Sequence, residues 1–422
     1  MPQLRILICG AGITGNALAF QLSKIGHSIT VIERFPDLRS SGLQVDLRGP
    51  GIQALRRMGI EKAFRPYLVP EQGLELVDRK GRQWGYFPVN KSGKGLQSLS
   101  TDFEIMRGDL CQILYDLTKE RVEYRFEMFV KDISQNEEHA EVLLSDGSRE
   151  RFDLVVGADG AGSHTRKMIL DKGEADPFHP LGACAGYFTI KQPAKPNEAY
   201  NATGFIAPGN RGIMTRRGDP DKYQAYMFCK PNGSERLKNA RKGNIQDEKE
   251  GITEVFRGAG WRTDEILKGL AEANDFYCER LGIVAMDQWS RGRVVLVGDA
   301  GYCPSAMTGM GTTCGMTGAY VLAGEIGKHC DSDGSMDSIT TALMQYEMKL
   351  RPFINTVQKG LAETKGDYMD KLPSSTMGIQ MVYILIWVAS ALRLDIIATW
   401  FLREDTKGWQ LPAYKETDCA SD

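Results

Sequence analysis

Residues 4–33 read LRILICGAGITGNALAFQLSKIGHSITVIE. An apolar run from Leu4 to Cys9 ends at a glycine, Thr14 to Ile25 repeats apolar side chains at helical spacing, and Ser28 to Glu33 is a second short run. Such runs fit strands buried on both faces of a parallel sheet, so the segment predicts one β-α-β unit. Gly10, Gly12 and Gly15 form G-x-G-x-x-G between the first strand and the helix, with Thr14 inside the pattern. There, Gly12 lets the backbone approach a pyrophosphate whose charge faces the helix N-terminus. With 46 glycines in 422 residues, the pattern arises about 0.5 times by chance, so its placement carries the argument. Glu33, followed by Arg34, closes the second strand about twenty residues after the glycine turn, where a carboxylate accepts hydrogen bonds from a ribose diol.

Two more buried-strand runs lie far downstream, Asp153 to Ala158 and Arg293 to Val297, each entering a Gly/Asp turn. Between them, Ala183–Ile190, Gly212–Arg217 and Tyr223–Cys229 read as strands rich in aromatic and β-branched residues, which suggests an antiparallel sheet. The expected fold class is therefore α/β: a Rossmann-like domain, a second domain on an antiparallel sheet, and a C-terminal helical segment. Residues 1–75, 98–175 and 285–365 are assigned to the nucleotide domain, 76–97 and 176–284 to the substrate domain, and 366–422 to the C-terminal helical segment and tail. The polar stretch Pro220–Gly251 is expected to contain a mobile surface loop.

The 52 basic residues are balanced by 54 acidic ones, so the basic excess that nucleic acid demands is missing. Nine scattered cysteines form no C-x-x-C pair or zinc-ligand spacing, which fits a reduced compartment and no metal. The start MPQLRILICGAG enters a strand directly, without the pattern of a secretory leader, and a cytoplasmic location is expected. Met381–Leu392 is the most apolar stretch, twelve residues against the roughly twenty that span a bilayer. It is read as a buried helix, with an amphipathic surface helix extending to Ile396–Leu402, and peripheral membrane contact, as the minor reading.

A dinucleotide is all that the first unit implies, and dehydrogenases share it. Two further motifs decide between cofactors: GADGAGSHTR over 157–166 and GDAGYCPSAMTGMG over 298–311. Together with the glycine turn, in this order, they resemble the fingerprints of the para-hydroxybenzoate hydroxylase-like (class A) flavoprotein monooxygenases. Residues 41–60, SGLQVDLRGPGIQALRRMGI, are most similar to the tetracycline-inactivating and polyketide-modifying members.

The resemblance implies FAD as the bound cofactor and NADPH or NADH as transient reductant. It implies that O2 adds to the reduced ring as a C4a-hydroperoxide, and that one oxygen atom passes to an aromatic or polyketide-like small molecule. It assigns Glu33 to the adenosine ribose, Asp299 to the ribityl chain, Gly309, Gly311 and Thr312 to the helix start facing the flavin ring, and Asp46 to a place beside the flavin. Arg107, in FEIMRGDLCQIL, resembles the arginine that contacts the cofactor from its open side, and Asp159 and Arg166 belong to a motif serving both FAD and the nicotinamide cofactor. No residue is singled out as catalytic, because the cofactor supplies the reactive chemistry.

Departures from the family pattern cluster at Tyr302 (usually His), Ala306 (usually Pro), Met310 and Thr313, positions that in relatives border the reacting edge of the flavin. They keep two rivals in view: a flavin oxidase or dehydrogenase that inserts no oxygen, and a flavin-retaining cyclase without redox turnover. Cys303 and His164 are read as structural, and Met307, Met310 and Met316 as packing residues with a pocket as the alternative. Arg216 and Arg217 are read as solvent-facing or, alternatively, as contacts for an anionic substrate.

Overall fold

The computed structural model describes residues 3–38, 43–89, 101–171, 173–240, 243–330, 335–361, 368–371, 373–392, 408–415 and 418. The expected β-α-β unit forms from strand Arg5–Cys9, helix Ile13–Lys24 and strand Ser28–Ile32. It lies within a six-stranded sheet whose order is 290–291, 294–296, 154–157, 5–9, 28–32, 123–125. All neighbours are parallel except the terminal hairpin 290–296. Distant strand segments therefore lie side by side, and the turns after Cys9, Gly157 and Leu296 meet at one edge.

Helices Ile13–Lys24, Gly49–Met58, Arg107–Asp116, Gly311–His329 and Met336–Gln358 bury apolar faces against this sheet and one another. Leu18, Leu55, Leu110, Leu322 and Tyr346 are inaccessible within that core. Two small sheets flank it: strands 130–135, 140–144 and 149–152, and the ribbon pairing Gln44–Asp46 with Glu104–Met106.

The second large sheet has seven strands in the order 277–284, 178–191, 222–229, 211–216, 201–207, 73–77, 83–88. Its pairs are antiparallel save one, 201–207 with 73–77. Alternation divides its two faces. Phe188, Met227 and Ile213 pack with Ile252, Phe256, Ile266 and Leu270 of the helices Ile245–Phe256 and Thr263–Glu272. Tyr187, Tyr226 and Met214 point to the opposite face, where Leu43 and Met307 from the nucleotide-side loops join them. This mixed α/β architecture with a C-terminal helix is the expected fold class.

Within Pro220–Gly251 lie strand Lys222–Cys229, helix Glu235–Asn239 and the first part of helix Ile245–Phe256. Ser234 and Asn244 cap the two helices, accepting from the backbone N–H of Leu237 and Asp247. Met381–Leu392 is not a buried helix. It lies on helix Thr376–Ala391, which buries only Ile379, Tyr383, Ile386 and Ala389. Met377, Met381, Leu385 and Trp387 are exposed. Ile396–Leu402 lies outside the described residues. Among the described residues no helix is long and apolar enough to cross a membrane.

Candidate cofactor site and active site

The glycine turn is built by crowding on two sides and space on the third. Gly10 has φ +113°, and a Cβ there would lie 2.6 Å from the carbonyl oxygen of Ala158. A Cβ on Gly15 would lie 2.0 Å from the oxygen of Gly10, so helix and strand approach only because both are glycines. Gly12 is different: a Cβ there would meet nothing within 4 Å. Helix Ile13–Lys24 begins with no side-chain cap and no acidic residue in its first turn. Its first amides thus keep their donors for an anion, beside a surface that only a glycine leaves bare.

Glu33 follows strand Ser28–Ile32, half-buried. One carboxylate oxygen accepts from the amide of Ala11 at 3.0 Å and the other from Phe35 at 3.1 Å. The carboxylate is thereby fixed against the glycine turn, with an acceptor edge still partly exposed. Arg34 is exposed and stacks on Phe35, 4.8 Å from the ring centre.

Asp159 is occupied internally. Its oxygens accept from Ser163 Oγ at 2.5 Å and from the amides of His164 and Thr165 at 2.8 and 3.1 Å, capping helix His164–Ile169. Arg166 is fully buried and donates to Ala161 O at 2.7 Å, Ala300 O at 2.9 Å and Asp176 at 3.0 Å. It clasps the second fingerprint to the third.

In the third fingerprint Gly298 has φ +66°, and a Cβ on it would sit 2.7 Å from Thr14 Oγ1. A Cβ on Gly315 would sit 2.3 Å from the same oxygen, so Thr14 links the glycine turn to helix Gly311–His329. That helix also starts without a side-chain cap or a first-turn acid. Gly309 (φ +64°) and Gly311 have nothing within 4 Å of a Cβ, and Thr312 beside them is half-buried. Burial holds the Asp299 carboxyl above the ordinary carboxylate range, while the charge of Arg107 and a hydrogen bond from Cys303 pull it down. Arg107 is half-buried at the start of its helix, anchored by its amide to Leu43 O at 2.9 Å.

Asp46 accepts from Arg48 Nε at 2.5 Å, and Arg48 is buried. The amide of Arg48 donates to Thr313 Oγ1 at 2.9 Å. The structure thus gathers Gly10, Gly12, Thr14, Gly15 and Glu33 with Asp159 and Asp299 around the turns of one sheet edge. Two uncapped helix starts and three open glycines form a cradle suited to a phosphorylated, planar cofactor.

Of the remaining side chains, some depart from their sequence reading and others keep it. Tyr302 does not face the cradle: its ring is buried 4.5 Å from Trp289, and its hydroxyl lies 2.9 Å from that of Tyr346. Strain in this loop sits instead at Ser305, a buried non-glycine residue with φ +68° and ψ 145°. Burial pushes the Cys303 thiol well above its usual range, so it is an unreactive thiol. Met310 and Met316 are core residues, whereas Met307 is half-buried among the pocket-face side chains. Arg216 and Arg217 are neither solvent-facing nor free for an anion. Arg217 pairs with Glu198 at 3.1 Å, and Arg216 pairs with Glu71 and Glu104, two buried acids that carry no sequence motif.

The second face of the seven-stranded sheet carries the buried Tyr187 and Tyr226 and the half-buried Tyr277, with ring centres 4.9 Å apart for Tyr187–Tyr277 and 5.4 Å for Tyr187–Tyr226. With Leu43, Gln224 and Asp275 they line a small cleft of about 10 Å³. The carbonyl oxygen of the buried Gln224 side chain has no hydrogen-bond partner. An aromatic wall with one idle acceptor suits a ring-bearing ligand that donates a hydrogen bond.

Comparison with known proteins places this geometry. The family model described as FAD binding domain matches residues 3–359. The FAD-dependent monooxygenase asL4 of Sarocladium schorii is 46% identical, with 99% of each chain covered. The flavin-dependent monooxygenase eupH of a Phoma species is 38% identical, with 94% of each chain covered. Among solved structures, tetracycline destructase Tet(51) superposes with a TM-score of 0.74 at 29% identity, covering 98% of this chain and 100% of that one. Matched by this domain over most of its length and aligned nearly end to end with named flavin enzymes, the chain belongs to the FAD-dependent monooxygenases.

Proposed function

We propose that the protein uses NADPH or NADH and O2 to oxygenate an aromatic or polyketide-like small molecule. The observation that carries this reading is the convergence of two uncapped helix starts and the open glycines 12, 309 and 311 in front of a tyrosine-lined sheet face. The names of the fungal relatives and the fold shared with a tetracycline destructase support the same reading.

Bound FAD would supply the redox chemistry, taking reducing equivalents from the nicotinamide and activating dioxygen. Gly10, Gly12 and Gly15 admit the pyrophosphate, and the amides at the start of helix Ile13–Lys24 neutralise it. Glu33 accepts from the adenosine ribose. Asp299 accepts from the ribityl chain, with Arg107 balancing its charge. The start of helix Gly311–His329, with Gly309, Gly311 and Thr312, faces the ring system and stabilises negative charge there, by roughly 0.3–1 kcal/mol if exposed and more if partly buried. Asp46 and Arg48 border the ring from the side of the ribbon. Asp159 and Arg166 keep the second and third turns in register.

Residues 1–75, 98–175 and 285–365 are proposed to hold the cofactor, and 76–97 with 176–284 to frame the substrate. The aromatic face built from Tyr187, Tyr226 and Tyr277 borders the substrate ring, and the Gln224 carbonyl oxygen accepts from a phenolic or enolic hydroxyl. Water exclusion follows from the apolar neighbours Leu43, Met214 and Met307.

The test is turnover of candidate polyketide phenols with NADPH or NADH under isotopically labelled O2. One labelled oxygen atom per product supports the proposal. Nicotinamide oxidation that yields only hydrogen peroxide with every candidate opposes it.

A further inference from the structure

Behind the aromatic wall lies a polar cluster that the proposed chemistry leaves unused. Arg216 donates from Nε and Nη2 to the two oxygens of Glu71 at 2.9 and 2.7 Å, and also to Glu104. Gln44 Nε2 donates to Glu71 at 2.9 Å and to Glu104 at 2.6 Å. The amide of Thr101 donates to the other oxygen of Glu104 at 3.2 Å. The hydroxyl of Tyr226, from the aromatic wall, accepts from the amide of Gln44 at 3.0 Å. Glu71 and Glu104 are buried, and the Gln44 side-chain oxygen is buried without a partner. Asp46 is the cross-strand neighbour of Glu104 in the ribbon and completes the charges facing it.

We propose that Glu104 is a positioning residue that joins the cofactor-side ribbon to the substrate sheet and sets the charge beside Asp46. The inference rests on the reading that Asp46 borders the flavin. Three elements meet at Glu104: the ribbon through Gln44 and Asp46, the segment before strand Gly73–Val77 through Glu71, and strand Arg211–Arg216 through Arg216. The buried cluster holds two carboxyls against one guanidinium, so ionising both would leave an uncompensated charge away from water. A proton held by one of the two carboxyls removes that excess. That proton is assigned to Glu104, which burial and the charges of Glu71 and Asp46 push up to about 8 against the opposing pull of Arg216 and Gln44. A neutral Glu104 leaves Asp46 as the single charge that the ribbon presents with Arg48. An ionised Glu104 adds a second negative charge beside it, which would oppose binding of the anionic cofactor.

The direction of the pH effect follows by linkage. The folded chain keeps this proton up to about 8, whereas the unfolded carboxyl loses it near its ordinary value of 4.5. The stabilisation is complete below the unfolded value and is lost as pH rises through that window.

Two readouts test the inference on the full chain: the thermal midpoint of FAD-free protein, and the FAD dissociation constant by flavin fluorescence, each from pH 5 to 9. In the wild type the midpoint should fall with rising pH and FAD should bind about tenfold more weakly at pH 9 than at pH 7. Glu104→Gln, an uncharged mimic, should bind FAD within about threefold of wild type at pH 7 and lose the pH-dependent weakening. Glu71→Gln removes the neighbouring charge and should move the transition to lower pH, which keeps the test decisive if Glu104→Gln does not fold. Wild-type pH dependence retained in the folded variants would overturn the inference. Absence of FAD binding at every pH, with the thermal shifts as described, would instead refute the placement of the cofactor beside Asp46.

Discussion

Arg166 donates to the carbonyl oxygen of Ala300 across 2.9 Å, so one buried guanidinium fastens the turn after Gly157 to the turn after Gly298. It also holds Ala161 and Asp176. Replacing it by Met leaves the carbonyls of Ala161 and Ala300 without this donor and removes the buried partner of Asp176. Arg166→Met should lower unfolding free energy by about 3 kcal/mol in urea titrations, and Arg166→Lys, which lacks the planar fork, should recover only part of it. Equal stability of both variants and wild type would remove Arg166 from this role.

The glycine turn separates folding from binding. Because a Cβ on Gly12 meets no atom and its φ of −76° suits any residue, Gly12→Val should leave the thermal midpoint of FAD-free protein unchanged. The valine occupies the pyrophosphate approach, and FAD affinity should fall about a hundredfold or more by fluorescence titration. Gly15→Val places atoms against the Gly10 carbonyl and should destabilise the fold itself by about 3 kcal/mol.

Asp299→Ala should weaken FAD binding about tenfold while the chain stays folded, if the carboxylate accepts from the ribityl chain. Circular dichroism and a fluorescence titration measure the two effects separately. Unchanged affinity would detach Asp299 from the cofactor.

Tyr302 depends on a glycine. A Cβ on Gly318 would fall 1.8 Å from the Tyr302 hydroxyl. Gly318→Ala should therefore cost about 2 kcal/mol, and Tyr302→Phe should restore part of that in a double-mutant cycle. Additive effects would show that the two do not interact.

The surface helix offers a paired control. The Tyr383 hydroxyl donates to Val77 O at 2.7 Å and accepts from the Ile206 amide at 3.2 Å. Tyr383→Phe should cost about 1 kcal/mol in chemical denaturation, while Leu385→Gln on the exposed side should stay within about 0.5 kcal/mol of wild type.

What the chain disclosed before folding was its local logic. The strand, glycine turn and helix of residues 5–24 are contiguous, so period and punctuation suffice to read them, and the fingerprints at 157–166 and 298–311 announce turns of the same kind. Glu71, Glu104 and Arg216 were illegible because they are far apart in sequence and meet only when the ribbon docks on the seven-stranded sheet. Arg216 and Arg217 read as surface residues for the same reason: charge predicts exposure until buried partners are known. Tyr302 replaces the usual histidine, but the space that Gly318 leaves decides where its ring goes. The helices within 235–272 escaped notice because their apolar faces are short, and their buried partners lie on strands elsewhere.

The most direct test of the central claim is the absorption spectrum of the purified protein reconstituted with FAD, followed through anaerobic NADPH or NADH addition and then admission of O2 with a polyketide phenol. The account predicts protein-bound flavin bands that bleach on reduction and return with oxygenated product. Failure to retain FAD, or bands that neither reductant bleaches, would contradict it.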